Sequence, residues 1–223
     1  MPRIARVVVP DYPHHITQRG NRRQQTFFYE KDYQFYIDLM SEWCSNLGVD
    51  VWAYCLMPNH SHLIVVPKSE DSLKRAIGEA HRRYTLYINS REGWKGHLWQ
   101  GRFCSYILDE NHLLAVTRYV EMSPVKAGIV KMPGDWAWSS ASAHISRTDD
   151  KLVKVAPLLK LVTDEWKEFL SLPISERIAS EIQSHEKTGR PLGSDSFVTK
   201  LETVVGRVLI PKKAGRKLKK HNK

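Results

Sequence analysis

Two periods organise the apolar and polar positions of this chain, and each change of period marks an element. VVVPDYPHHITQRG reads as extended, with Val7 to Val9 and then Ile16-Thr17 leading to a turn at Gly20-Asn21. From Glu30 the spacing becomes helical. Tyr36, Met40, Trp43, Cys44 and Leu47 recur at i, i+4, i+7, i+8 and i+11, and Gly48 ends the run. VWAYCLM is continuously apolar, as in a strand buried on both faces. Pro58-Asn59 turns it into HSHLIVV, so the pair predicts a hairpin. Ser72 is placed to cap the next helix, whose stripe is Leu73, Ala76, Ile77, Ala80, Tyr84, Tyr87 and Ile88. RFCSYIL then reads as a strand, and Asp109 or Asn111 caps a helix through LLAVTRYVEM that Ser123-Pro124 and Gly128 close.

Strand, helix, strand, strand, helix, strand, helix predicts an α+β fold, with a ferredoxin-like or RRM-like antiparallel sheet and flanking helices. Beyond about residue 145 the pattern shortens to DEWKEFL, SERIASEIQ and SFVTKLETVVGRVL, separated by Pro173 and TGRPLG. The expected division is a domain over 1–145, a small helical extension over 146–210 and a disordered basic tail over 211–223.

Composition narrows the partners. The formal net charge is +10, and the last twelve residues, KKAGRKLKKHNK, hold seven Lys or Arg and no acid. Two internal segments are also basic: residues 1–25 carry five Arg against one Asp, and 72–106 carry seven Lys or Arg against two Glu. Clusters of that kind suit a polyanion. No stretch has the roughly 20 apolar residues of a membrane span. The three cysteines (Cys44, Cys55, Cys104) have no C-x-x-C spacing, which points to a reducing cytoplasm and away from disulfides or a zinc finger.

Two features carry candidate chemistry. His60 and His62 interrupt an apolar strand, and side chains at i and i+2 leave the same face roughly 6–7 Å apart. They can converge on one cation or one phosphate. With no H-E-x-x-H or cysteine pair to complete a zinc site, Mg²⁺ or Mn²⁺ holding a phosphodiester fits better. The second feature is the helix DENHLLAVTRYVEMSP, where His112, Ala115, Tyr119 and Ser123 share a stripe. Tyr119 is a nucleophile only if something activates its phenol, whose ordinary pKa is about 10.

MPNHSHLIVVP resembles the MPNHxHLL segment of IS200/IS605-like Y1 transposases, whose two histidines form the HUH metal motif. PHHITQRGNRRQQTFF, EAHRRYTLYIN, GHLWQGRF and RYVEMSPVKAGIV extend the likeness, more closely, to the REP-associated tyrosine transposases over about residues 3–145, and GRPLG…FVTKLE…GR resembles an extension in some members. The resemblance implies that His60 and His62 bind the metal, Mg²⁺ or Mn²⁺. Tyr119 would attack a phosphodiester in single-stranded DNA, leaving a 5′-phosphotyrosine and a free 3′-hydroxyl. The implied partners are repetitive extragenic palindromes, DNA hairpins with a short single-stranded foot. The chain would act as a monomer or homodimer in the cytoplasm, associated with the nucleoid through DNA.

Two positions depart from the family pattern. Ser61 replaces the hydrophobe between the histidines and is expected to point away from the metal at a packing cost. Ser123, four residues after Tyr119, stands where relatives carry an Asn or Gln metal ligand, and is expected to act at most through a water. Both keep open a scaffold that binds hairpins without cutting them. An RNA-binding module on the same sheet lacks the RNP1 run it would need. For DNA contacts the sequence nominates Arg19, Arg22 and Arg23, then Arg82, Arg83 and Arg102, with Trp94 or Trp99 as stacking platforms or, equally, core.

Overall fold

The computed structural model describes residues 4–210. In chain order the first part is β1 (His14–Arg19), α1 (Glu30–Asn46), β2 (Val49–Met57), β3 (His60–Pro67), α2 (Ser72–Glu92), β4 (Cys104–Ile107) and α3 (Glu110–Glu121). Further helices follow: α4 (Ser123–Lys126), α5 (Ala141–Ser146), α6 (Ala156–Leu159), α7 (Trp166–Ser171), α8 (Glu176–Thr188) and α9 (Asp195–Val205). The basic tail expected at 211–223 lies outside the described residues.

All strand pairs are antiparallel in the order β2-β3-β1-β4, the ferredoxin-like arrangement the element order predicts. Because side chains alternate along a strand, β1 and β3 at the centre each serve two layers. Ile16, Ser61, Leu63 and Val65 face α1 and α2, where Tyr36, Met40, Ala76, Ile77 and Tyr84 complete the first core. His15, His62 and Ile64 face the other way, toward α3, whose Leu113, Val116 and Val120 close the second core with Ala53, Cys55, Cys104 and Tyr106. Segment 146–210 packs into these layers. Trp166, Phe169, Ile182 and Leu192 join the second core, and Leu201 and Leu209 bury Val7, Val9 and Ile107 in a third.

Three polar side chains tie the helices to one another. The Asp109 carboxylate caps α3 by accepting from the His112 amide at 2.9 Å, and its other oxygen accepts from the Ser194 amide at the start of α9. Ser72 is not the cap of α2: Asp71 holds that position, and the Ser72 hydroxyl donates to the Leu47 carbonyl at 2.7 Å, tying α2 to the end of α1. Glu121, fully buried at the end of α3, accepts from Ser140 at 2.5 Å and Trp166 Nε1 at 2.8 Å and bonds His144 Nδ1 at 2.7 Å. The helix that carries Tyr119 is thereby anchored to α5 and α7. Among the described residues no helix is long and apolar enough to cross a membrane.

Asp32 opens α1 and is also buried. It accepts from the Phe28 and Tyr29 amides and is paired with Arg91 from α2. Burial alone raises its carboxyl pKa, but Arg91 and the two amides outweigh that and hold it below the usual carboxylate value. Its stabilisation is therefore present above about pH 4 and lost as pH falls through the lowered folded-state value. Asp32→Ala is expected to destabilise the fold by about 2–4 kcal/mol at pH 7. The gap from wild type should narrow on acidification, as urea denaturation at a series of pH values would measure.

Candidate active site

The strand register assembles one polar face. Thr17 lies opposite His62 and Arg19 opposite His60, while His15 and Ile64 are partners one step further along. His15, Thr17 and Arg19 share the β1 face that His60 and His62 share on β3. The two β3 imidazoles meet edge to face with ring centroids 4.9 Å apart, and α3 sets the Tyr119 ring 5.9 Å from that of His62, also edge to face. The two halves that the sequence nominated separately therefore adjoin.

The first imidazole is oriented from the β2–β3 turn. Asn59 donates its amide to the Arg23 carbonyl at 3.2 Å, so its oxygen faces His60 Nδ1 at 2.6 Å. Nδ1 must then carry the proton, and Nε2 keeps its lone pair. The loop that supplies the Arg23 carbonyl is tight. Arg22 and Arg23 are both left-handed, and a Cβ on Gly20 would stand 2.2 Å from the Gln24 carbonyl oxygen, so only glycine fits there.

His62 is buried and bonded through Nδ1 to His15 Nε2 at 3.0 Å, and His15 Nδ1 is bonded to the Tyr106 hydroxyl at 2.7 Å. Burial first, then Arg19, holds His60 at a pKa of about 4. Burial first, then His60, His15 and Arg19, holds His62 well below its ordinary value. Both imidazoles are neutral at physiological pH, the form in which they can ligate a cation.

The extension enters the same face. Glu186 on α8 pairs one carboxylate oxygen with Arg19 at 3.0 Å, and its other oxygen lies 3.9 Å from His62 Nδ1. Gln183, one turn earlier, hydrogen-bonds the Tyr119 hydroxyl. Burial and the Glu186 charge raise the phenol pKa of Tyr119, while Arg19 and Gln183 oppose them; the net direction is upward. Lys126 lies over the Tyr119 ring, 5.1 Å from its centroid. Sequence reasoning missed His15, Lys126, Gln183 and Glu186. His15 could have been found from its period-2 relation to Arg19. Nothing local marks Glu186, a polar residue on an amphipathic helix far along the chain.

A cleft of about 730 Å³ opens beside His60 and is lined by Arg19, Arg23, Arg102 and Lys187, with Glu186 the one acid. Four positive charges against one negative suit a phosphate backbone. Arg22 is exposed on the adjoining loop. Arg82 and Arg83 lie elsewhere, on the outside of α2 across the sheet, where Glu79 accepts from both at 2.7 and 2.9 Å. Trp99 is core and Trp94 is half exposed against Phe28. Ser123 is turned back on its own chain, donating to the Tyr119 carbonyl at 2.8 Å. Ser61 points away from the histidines, as expected, but leaves no polar group stranded: its hydroxyl bonds that of Tyr36 at 3.1 Å, which bonds His81 at 2.8 Å.

Residues 8–123, more than half of the chain, match the family described as IS200-like transposases, and the chain belongs to that family. Within it, the chain is similar to a Haemophilus influenzae protein named as a REP-associated tyrosine transposase, 26% identical over 108 residues, 44% of this chain and 61% of that one. The ISDra2 transposase of Deinococcus radiodurans is 27% identical over 92 residues, 38% of this chain and 64% of its own. The chain thus spans about three fifths of the length of the curated relatives it matches. A solved structure of a REP-associated tyrosine transposase bound to a REP hairpin matches with a TM-score of 0.54 at 21% identity, over 69% of this chain and 92% of that one. That likeness carries the fold.

Restoring a hydrophobe between the histidines is expected to harm this protein. Ser61→Ile places extra methylenes in a fully buried site and removes a partner of Tyr36. It should lower unfolding free energy by about 1–3 kcal/mol, measured from urea midpoints.

Proposed function

We propose that this chain is a metal-dependent single-strand DNA endonuclease and strand transferase that acts on REP-like hairpins through Tyr119. The observation that carries the reading is the Tyr119 ring edge-on to His62, 5.9 Å away, beside a cationic cleft. His60 and His62 would hold the cation. Neutral imidazoles, and a buried Glu186 oxygen near His62 that has no hydrogen-bond partner among the described residues, are groups that accept a divalent ion. When bound, Mg²⁺ or Mn²⁺ supplies Lewis-acid polarisation of the scissile phosphate.

The chain's own residues do the rest. Tyr119 oxygen forms a bond to phosphorus as the 3′-oxygen leaves, and the proton that the phenol loses is balanced by the one the 3′-oxygen gains. Phosphodiester energy is kept in the phosphotyrosine link, so rejoining needs no nucleotide cofactor. Lys126 and Arg19 are the cations close enough to favour the phenolate. Arg23, Arg102 and Lys187 line the path for the backbone of the single-stranded foot. The alternative, a scaffold that binds hairpins without cutting, loses one of its two motives because Ser61 is a satisfied core residue.

The test is incubation with a REP-like hairpin oligonucleotide and Mn²⁺. Wild type should give a covalent protein–DNA adduct on denaturing gels, and Tyr119→Phe should give none; equal cleavage by both would overturn the mechanism. Hairpin affinity should fall steeply with salt. Arg23→Ala and Arg102→Ala should each reduce the magnitude of the log–log salt slope by about 1, measured by fluorescence anisotropy.

A further inference from the structure

The resemblance leaves the cation with two histidines and a serine whose hydroxyl is spent on the Tyr119 carbonyl. Two imidazoles alone make a poor protein set for a hard divalent ion, which prefers oxygen donors. Among the described residues a different oxygen, one of Glu186, stands 3.9 Å from His62 Nδ1. One nitrogen each from His15 and His62 and one oxygen of Glu186 lie within 4.8 Å of one another. Glu186 is 8% exposed, and its Oε1 has no hydrogen-bond partner among the described residues. Its other oxygen is held by Arg19, which aims the free one at His62.

A buried carboxylate oxygen with no partner is costly, and the cost is recovered when a cation arrives. The helix that bears it is not loosely attached. Ile182 is in the second core, and the Cys104 thiol donates to the Glu186 carbonyl at 2.8 Å. Packing therefore holds the backbone at Glu186, and the Arg19 pair orients its carboxylate.

We propose that Glu186 of the C-terminal extension is a protein ligand of the divalent cation, in the role that Ser123 leaves open. This rests on the reading of His60 and His62 as cation-binding residues. It makes α8 part of the active site: Gln183 holds the nucleophile, Glu186 holds the cation, and cation binding and α8 docking stabilise each other by linkage.

The experiment uses the full chain and Mn²⁺ alone, with no DNA. Mn²⁺ affinity is measured by calorimetric titration for wild type, Glu186→Gln, Ser123→Ala and His62→Ala, with circular dichroism melts to check folding. Glu186→Gln should weaken Mn²⁺ at least about tenfold, Ser123→Ala should stay within about twofold, and His62→Ala should abolish binding. A second measurement needs no variant: Mn²⁺ should slow amide hydrogen exchange across 176–188 of wild type. If Glu186→Gln binds Mn²⁺ like wild type while His62→Ala does not, Glu186 is no ligand and the histidine site stands. If His62→Ala also binds like wild type, the cation site itself is wrong and the proposal falls with it. Unchanged exchange across 176–188 at saturating Mn²⁺ overturns it independently.

Discussion

Everything in this molecule turns on β3, a strand that is buried on both faces and polar on both. A buried polar group costs free energy unless it is hydrogen-bonded, and a buried charge costs more. β3 meets that constraint differently on its two sides. Toward α1 and α2, Ser61 is closed off by Tyr36, which is bonded in turn to His81. Toward α3, His62 is bonded to His15 on one ring nitrogen and His60 to Asn59, which leaves lone pairs and a Glu186 oxygen uncommitted among the described residues. The satisfied side is structure. The unsatisfied side is where ligand chemistry belongs.

The ferredoxin-like arrangement makes this possible because its two crossover helices lie on the same face of the sheet. The other face needs a cover, and here the cover is α3 with the helices that follow it. Where that cover is apolar it makes a second core, through Val116, Val120, Trp166 and Phe169. Where it meets Arg19 and the histidines it is polar, and a cleft remains. The buried Glu121 cluster sits two residues from Tyr119, so Tyr119 rides on a helix pinned at its end by Ser140, His144 and Trp166. The role proposed for Tyr119 gains from such rigid support, because a reacting side chain has to be held close to its productive geometry.

Membership of the IS200-like transposases accounts for residues 8–123. It does not account for α8, which lies beyond the matched span yet reaches Tyr119 and His62 more closely than several residues inside it. Arg82 and Arg83 show the converse. They are basic, lie in a segment that resembles the family, and are spent on Glu79 across the sheet from the cleft. Sequence proximity to a motif and spatial proximity to its chemistry are different properties.

Much was legible in the residues themselves. Periodicity located β1, α1, the β2–β3 hairpin, α2, β4 and α3, because each is an amphipathic or doubly buried element whose pattern is local. The i, i+2 relation of His60 and His62 put both imidazoles on one face, and Tyr119 on one stripe of its helix, for the same reason. The sequence alone could not say which stripe met which face. That depends on sheet order and helix packing, which sum many weak contacts between distant segments. Hence Ser72 read as a cap when it is an interhelix tie, Ser61 read as a packing defect when Tyr36 satisfies it, and Glu186 was invisible. Local pattern determined which side chains could take part in a site; the burial of α8 against the sheet decided which of them stand next to Tyr119 and His62.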